Sequence, residues 1–152
     1  MTHITATPRV TVRGLIIDQG EILGFQHRPT ADYYALPGGG VDYLETLEEA
    51  MVREMEEETG ITPVVGGLRF VHQLCIDDSR GQCHLLEFFY LIENGAAYRA
   101  IDWAAASHAY EVHDAQWISL QNPQHRLLPS FVIPSLRQSL TSHGPEMHVS
   151  RT

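Results

Sequence analysis

The chain has 152 residues, of which 43% are hydrophobic, and a formal net charge of −9. This length suits one domain with a sizeable core, and no apolar run reaches the ~20 residues of a membrane span. The acidic balance argues against a nucleic-acid polymer or a membrane surface as partner, but not against a small anionic ligand, because metal ions and a few arginines reverse a field locally.

In chain order, Met1 to Pro8 is polar and lacks the apolar segment of a secretory signal, so the expected location is the cytoplasm. Arg9 to Asp18 (RVTVRGLIID) is rich in β-branched residues and reads as a strand. Gln19-Gly20 signals a turn, and Glu21 to His27 reads as the returning strand. A polar loop, Arg28 to Tyr33, leads into Tyr34-Ala35-Leu36-Pro37-Gly38-Gly39-Gly40, a glycine-rich loop that no helix tolerates. A helix follows: Thr46 is its expected N-cap, Glu49 completes a capping box, and Gly60 ends it. Leu68 to Ile76 and Cys83 to Ile92 are two more strands, joined by a turn from Asp77 to Gly81. Cys75 and Cys83 have opposite parity around that turn and are expected as reduced thiols. Glu93 to His113 reads as a long loop with one helical turn, and Gln116 to Leu120 as a short strand. Leu128 to Leu140 reads as a last helix, kinked or delayed by Pro134. The expected architecture is a single α/β domain over residues 1–152, a mixed sheet flanked by helices, with 1–8 and 142–152 as flexible ends.

The helix LEEAMVREMEEETG poses a physical problem. Leu47, Ala50, Met51, Glu54, Met55 and Glu58 share one face at steps of three and four residues. Glu54 and Glu58 therefore fall in the stripe that should be buried, and Glu57 lies at its edge. Glu48, Glu49 and Glu56 point away. A solvated acidic face, with Arg53 paired to Glu49 and Glu57, accounts for the outward acids. It does not account for Glu54 and Glu58, since burying an unpaired carboxylate costs several kcal/mol. Carboxylates on that face are tolerable if a hard divalent cation joins them. The helix alone leaves both readings open.

The preceding loop decides between them. From Gly39 to Ile61 the chain reads GGVDYLETLEEAMVREMEEETGI. Gly39, Glu45 and then Arg53-Glu54-Met55-Glu56-Glu57-Glu58-Thr59-Gly60-Ile61 match every specified position of the Nudix signature, so the chain resembles the Nudix hydrolases, in their MutT-like form. The resemblance implies a Nudix-type α/β/α sandwich. It also implies Mg²⁺- or Mn²⁺-dependent hydrolysis of a nucleoside diphosphate linked to a group X. By the same resemblance Glu57 and Glu58 are the principal metal ligands, and Glu54 is a further ligand or the base that activates water. The Gly38 carbonyl is a backbone ligand, Arg53 orients the glutamates, and Glu45 is a structural or outer-sphere member. A further loop acid is expected: Glu111, with Asp114, Glu87 and Glu93 as alternatives. One departure is Leu44, where the family often has glycine before the box glutamate.

Substrate choice in such enzymes lies outside this motif. From Ile61 to Asp78 the proline and tyrosine marks of the ADP-ribose and dinucleoside polyphosphate subgroups are missing, and no coenzyme A signature precedes the box. A (d)NTP, an oxidised nucleotide or a nucleotide sugar is the expected substrate. Arg28, Tyr34, Gly39 and Gly40 are the candidate substrate contacts. Tyr33, Phe25, Trp103 and Tyr110 are further aromatics that could stack on a base. No histidine reads as a metal ligand. By analogy a homodimer is expected. The alternative is a Nudix-fold nucleotide-binding regulatory module without catalysis, which the intact set of box acids disfavours.

Overall fold

RVTVRGLIID carries apolar side chains toward both faces, which is the pattern of a strand covered on two sides. In the computed structural model of the protein, which describes residues 6–103, 112–138 and 144–152, this segment is β1 (Arg9–Asp18). The elements after it are β2 (Glu21–Gln26), β3 (Tyr34–Ala35), β4 (Gly38–Gly40), α1 (Leu47–Thr59), β5 (Val65–Asp78) and β6 (Gly81–Ile92). A 3₁₀ turn (Gly95–Ala100), β7 (Asp114–Ser119), β8 (Leu127–Leu128), α2 (Val132–Gln138) and β9 (Glu146–Arg151) complete the described chain.

The strands form one mixed, curled sheet in the order β8-β3-β2-β1-β6-β5-β9, with β4 added to β1 and β7 to β2. β1 links its two halves. Arg9 to Ile16 run parallel to Leu85 to Ile92 of β6, and then Ile17 and Asp18 pair antiparallel with β2. Val12 and Ile16 join Ala50, Met51 and Met55 of α1 in one core. Leu15 joins Phe70, Phe89 and Val132, Ile133 and Leu136 of α2 in another. One helix thus covers each core, which is the expected sandwich. Met51 and Met55 are fully buried, and burial of such a side chain contributes about 1.5–3 kcal/mol. These two residues fix α1 on the sheet.

The ends of α1 are set locally. The Thr46 side chain accepts from Glu49 N–H, and the Glu49 carboxylate accepts from Thr46 N–H at 2.8 Å, completing the capping box. Gly60 closes the helix with φ 73°, a left-handed conformation that glycine adopts without a Cβ clash.

Three expectations change. The glycine-rich segment is not all loop, because Tyr34–Ala35 pairs with β2 and Gly38–Gly40 with β1. The last helix starts only at Val132, with Leu127–Leu128 forming a short strand beside β3. Pro134 lies in the first turn, where its missing N–H costs nothing. The tail expected to be flexible instead forms β9, parallel to β5 from Phe70↔Glu146 to Cys75↔Arg151. Its pattern is inverted: Met147 and Val149 are exposed, while the His148 ring stacks on Phe131 at 3.9 Å. This strand buries no apolar face and is anchored by His148 and Ser150. No helix among the described residues is long and apolar enough to cross a membrane.

Loss of the N-cap should be felt directly. Thr46→Ala should lower the unfolding free energy by about 1 kcal/mol, read as a lower urea midpoint at unchanged slope.

Candidate active site

The β1–β4 ladder determines which backbone groups of the glycine strand are available. Gly14 N–H donates to Pro37 and Val41 N–H donates to Val10. In antiparallel pairing, bonded and non-bonded pairs alternate. The register Val12↔Gly39, Arg13↔Gly38 therefore directs the N–H and C=O of Gly38 and Gly40 away from β1, toward α1. Gly38 N–H donates to Glu58 Oε1 at 3.3 Å, and Gly40 C=O accepts from Arg53 Nη2 at 2.9 Å. The Gly38 carbonyl shares this outward edge.

A side chain at Gly38 would strike backbone, and one at Gly39 would displace the Glu54 carboxylate. A Cβ on Gly39 would lie 2.5–2.6 Å from the Glu54 carboxylate atoms. On Gly38, at φ 142°, it would meet the Val12 carbonyl oxygen at 1.9 Å. The glycines thus let two carboxylates of α1 reach the backbone of β4.

Arg53 ties the box together. Its Nε and Nη2 donate to the two Glu45 oxygens at 2.7 and 2.9 Å, and Nη1 donates to Glu54 Oε1 at 2.8 Å. Glu57 is a looser partner at 3.6 Å and is 58% exposed. The expected Arg53–Glu49 pair does not form, because Glu49 is occupied by the helix cap. Its hydrogen bonds to the Glu45 and Glu54 carboxylates hold the Arg53 guanidinium well above its ordinary pKa. Glu45 also accepts from Asp42 N–H at 2.9 Å, which closes the turn before the helix. Leu44 in that turn has φ 67° and is 85% exposed. The family's frequent glycine at this position would take that conformation without strain, whereas left-handed backbone costs a leucine about 1–2 kcal/mol.

Among the described residues, no three His, Cys, Asp or Glu side chains already converge as a metal-binding group. Glu54 turns to Arg53, Glu58 to Gly38, and Glu57 to solvent. The donors nonetheless fit a hard divalent cation. They are carboxylate and carbonyl oxygens, set in a glycine cradle that a single Cβ would fill.

The remaining candidates scatter. Glu111 and Tyr110 lie outside the described residues. Asp114 accepts from the Tyr34 hydroxyl, and Glu93 is exposed beside Gly66. Tyr34 is buried against His125 rather than presented to a ligand. Arg28 is exposed on the loop after β2. Phe25 and Trp103 pack edge to face in the α1-side core.

Glu87 belongs to a polar cluster that sequence reasoning missed. On the face of the sheet away from α1, Glu87 accepts from Arg13 Nε at 3.3 Å, from Thr11 Oγ1 at 3.4 Å, and lies 3.0 Å from His72 Nδ1. His72 Nε2 lies 3.0 Å from Ser150 Oγ on β9. Burial pushes the Glu87 carboxyl up, but His72 and the Arg13 charge outweigh it and hold the group below its ordinary value. A signal was present. His72 and Glu87 interrupt the apolar alternation of their strands on the inward side, and buried charge is rare unless it is paired.

The Arg53–Glu45 pair gives a pH prediction. Hydrogen bonds from Arg53 and from Asp42 N–H lower the Glu45 pKa from 4.5 to about 2. A depressed carboxyl stabilises the fold above its ordinary value, and the contribution disappears as pH falls through the folded value. The melting temperatures of wild type and Glu45→Gln should differ most above pH 4.5 and converge between 4.5 and about 2. A constant gap across that window would remove the ion pair from the account.

The family model for the NUDIX domain matches residues 7–137. An ADP-ribose pyrophosphatase of Methanocaldococcus jannaschii is 34% identical over 110 residues, which cover 70% of this chain and 64% of that protein. The chain thus matches less than two thirds of that relative's length. The MutT NUDIX hydrolase of Burkholderia pseudomallei is 28% identical, with a TM-score of 0.65 over 86% of this chain and 98% of that one. The E. coli ORF135 protein is 23% identical, with a TM-score of 0.65 over 91% and 97%, a likeness that shows the fold alone. The family match spans β1 to α2 and takes in the glycine strand and glutamate helix whose contacts are described above; the chain belongs to the NUDIX family.

Proposed function

We propose that the protein is a nucleotide pyrophosphohydrolase, which hydrolyses the phosphoric anhydride of a nucleoside diphosphate linked to a group X at the edge shared by β4 and α1. One observation carries the reading. The Glu54 carboxylate occupies the space of a Gly39 Cβ, beside the outward Gly38 N–H and C=O. Arg53 offsets the charge of Glu54, but Glu45, Glu54, Glu57 and Glu58 around one guanidinium leave an excess of negative charge at this edge, which suits a hard divalent cation. Family membership supports the same reading.

In this proposal Glu57, Glu58 and the Gly38 carbonyl hold Mg²⁺ or Mn²⁺, with Glu111 as the added loop acid. The ion, when bound, neutralises the diphosphate oxygens and acidifies water. Glu54 takes the proton of the attacking water, and its bond to Arg53 fixes which oxygen stays free. Arg53, held by Glu45, keeps the acids of α1 apart in charge and in place. Gly39 and Gly40 let the diphosphate approach the backbone. Water adds to phosphorus, the bridging oxygen leaves, and the products are a nucleoside monophosphate and phosphorylated X. As in phosphoryl chemistry generally, the protein mainly positions and neutralises.

The test is a turnover panel of nucleoside triphosphates, oxidised nucleotides, nucleotide sugars and ADP-ribose, the substrate named for the archaeal relative, each with Mg²⁺ or Mn²⁺. One class should be hydrolysed, and EDTA should abolish the reaction. Glu57→Gln, which weakens the hold on the ion, should lower kcat/KM by about a hundredfold with no change in melting temperature, since Glu57 is 58% exposed. Full turnover by that variant would remove Glu57 from the mechanism. Silence across the panel would overturn the hydrolase reading.

A further inference from the structure

The sheet ends differently at its two edges. One end is β8, two residues long, too short to template another strand. The other is β9, six residues long, with no strand on its far side among the described residues. Its pairing with β5 keeps one register from Phe70↔Glu146 to Cys75↔Arg151, without a bulge. Thr152 N–H donates to Cys75 C=O at 3.0 Å. Backbone groups alternate sides along a strand, so His148 and Ser150, like Thr152, turn theirs to β5. Those of Met147, Val149 and Arg151 point outward, off the edge.

The side chains at this edge are also open. Met147 is 66% and Val149 64% exposed. Met147 ends an apolar row that runs through Phe88, Val71 and Met147 across β6, β5 and β9. Phe88 and Val71 are half-buried, and the row stops in solvent. Free edges are usually blunted by charge, proline or a bulge. Here Pro145, Glu146 and Arg151 stand at the two ends, and the stretch from Met147 to Ser150 carries none of these devices.

β9 is its own best complement. A two-fold axis normal to the sheet leaves each face on its own side, so residues that meet across the axis belong to the same face. With the axis at His148, Met147 of each copy lies opposite Val149 of the other, and Glu146 lies opposite Ser150. Met147 and Val149 then form a hydrogen-bonded pair, each giving its N–H and C=O to the other. The Arg151 N–H faces the carbonyl of Pro145, a residue with no N–H to offer. Arg151 also comes within one residue of Glu146 of the other copy, and no two carboxylates or guanidinium groups face each other. Moving the axis to Val149 sets Arg151 against Met147. Moving it to Met147 sets Val149 against Pro145, which cannot return a hydrogen bond. Only the register centred on His148 satisfies backbone, apolar side chains and charge together.

We infer that β9 is a self-association edge, through which two copies of this chain join antiparallel about His148 into one continuous sheet. The inference does not rest on the hydrolase reading. The six-residue edge is about 20 Å long, and one strand pair covers less than the ~800 Å² per partner of a standard interface. The dimer therefore belongs to the weak class, with a Kd on the order of 10 µM.

The test is sedimentation velocity of the intact protein from low micromolar to submillimolar concentration, with residue-resolved amide exchange at both ends of that range. Because the net charge of −9 repels two copies at long range, physiological salt is used to screen it. Mass should double with concentration, and the Met147, Val149 and Arg151 amides should exchange about threefold or more slowly in the concentrated sample. The His148 and Ser150 amides, already bonded to β5, should change less. Val149→Pro removes an outward N–H without breaking the β5 ladder and should weaken association by about tenfold or more. If that variant does not fold, Met147→Lys, which changes an exposed side chain, serves instead and should have the same effect. Val64→Lys, at an exposed residue before the start of β5, should leave association unchanged. A monomer at every concentration overturns the inference. So does a dimer that survives both β9 variants, one that leaves the outward amides unprotected, or one that Val64→Lys weakens equally.

Discussion

The candidate site depends on one close approach, the Glu54 carboxylate resting against the Cα of Gly39. A carboxylate in that place loses much of its hydration, a cost of several kcal/mol unless an opposite charge is near. Arg53 supplies that charge at 2.8 Å. Arg53 in turn stays in place because Glu45 takes two of its hydrogen bonds and Gly40 a third. Helix, turn and strand are therefore held by one guanidinium, and none of the three can shift without breaking a charged hydrogen bond.

The rest of the fold supports that arrangement. Thr46 and Gly60 set where α1 begins and ends, which fixes the rotational phase of its acids. Met51 and Met55 bury the opposite part of the same face and press the helix onto β1 and β6. The ladder between β1 and β4 then decides which glycine carbonyls and amides point outward. Stability and chemistry draw on different residues of the same helical turn, so the acids are positioned by apolar contacts that need not change during a reaction.

The two sides of the sheet differ in chemical character. The β4 edge gathers carboxylate and carbonyl oxygens around the Arg53 guanidinium. The opposite face carries a cavity lined by apolar side chains together with Arg13, His72, Glu87, Ser130 and Ser150, in which Glu87 pairs with Arg13. A single residue, Pro37, separates Leu36 at the cavity from Gly38 at the edge.

The sequence by itself determined the glutamate helix, its two ends and the spacing of its acids. The capping box, the terminal Gly60, the glycine segment and the spacing of Glu54, Glu57 and Glu58 are all short-range patterns, fixed by residues within a few positions of each other. Only the tertiary structure decided the partners. Arg53 prefers Glu45, eight residues away, to Glu49, because the turn at Leu44 brings Glu45 back over the helix and the cap consumes Glu49. β9 exists because Phe131 and β5 offer His148 a stacking face and a ladder, which its own inverted pattern does not announce. Thr11, Arg13, His72 and Glu87 come from three strands, and Ser150 joins them from a fourth. Contacts between residues this far apart depend on strand register, and register is set by how the whole sheet closes rather than by any local run of residues.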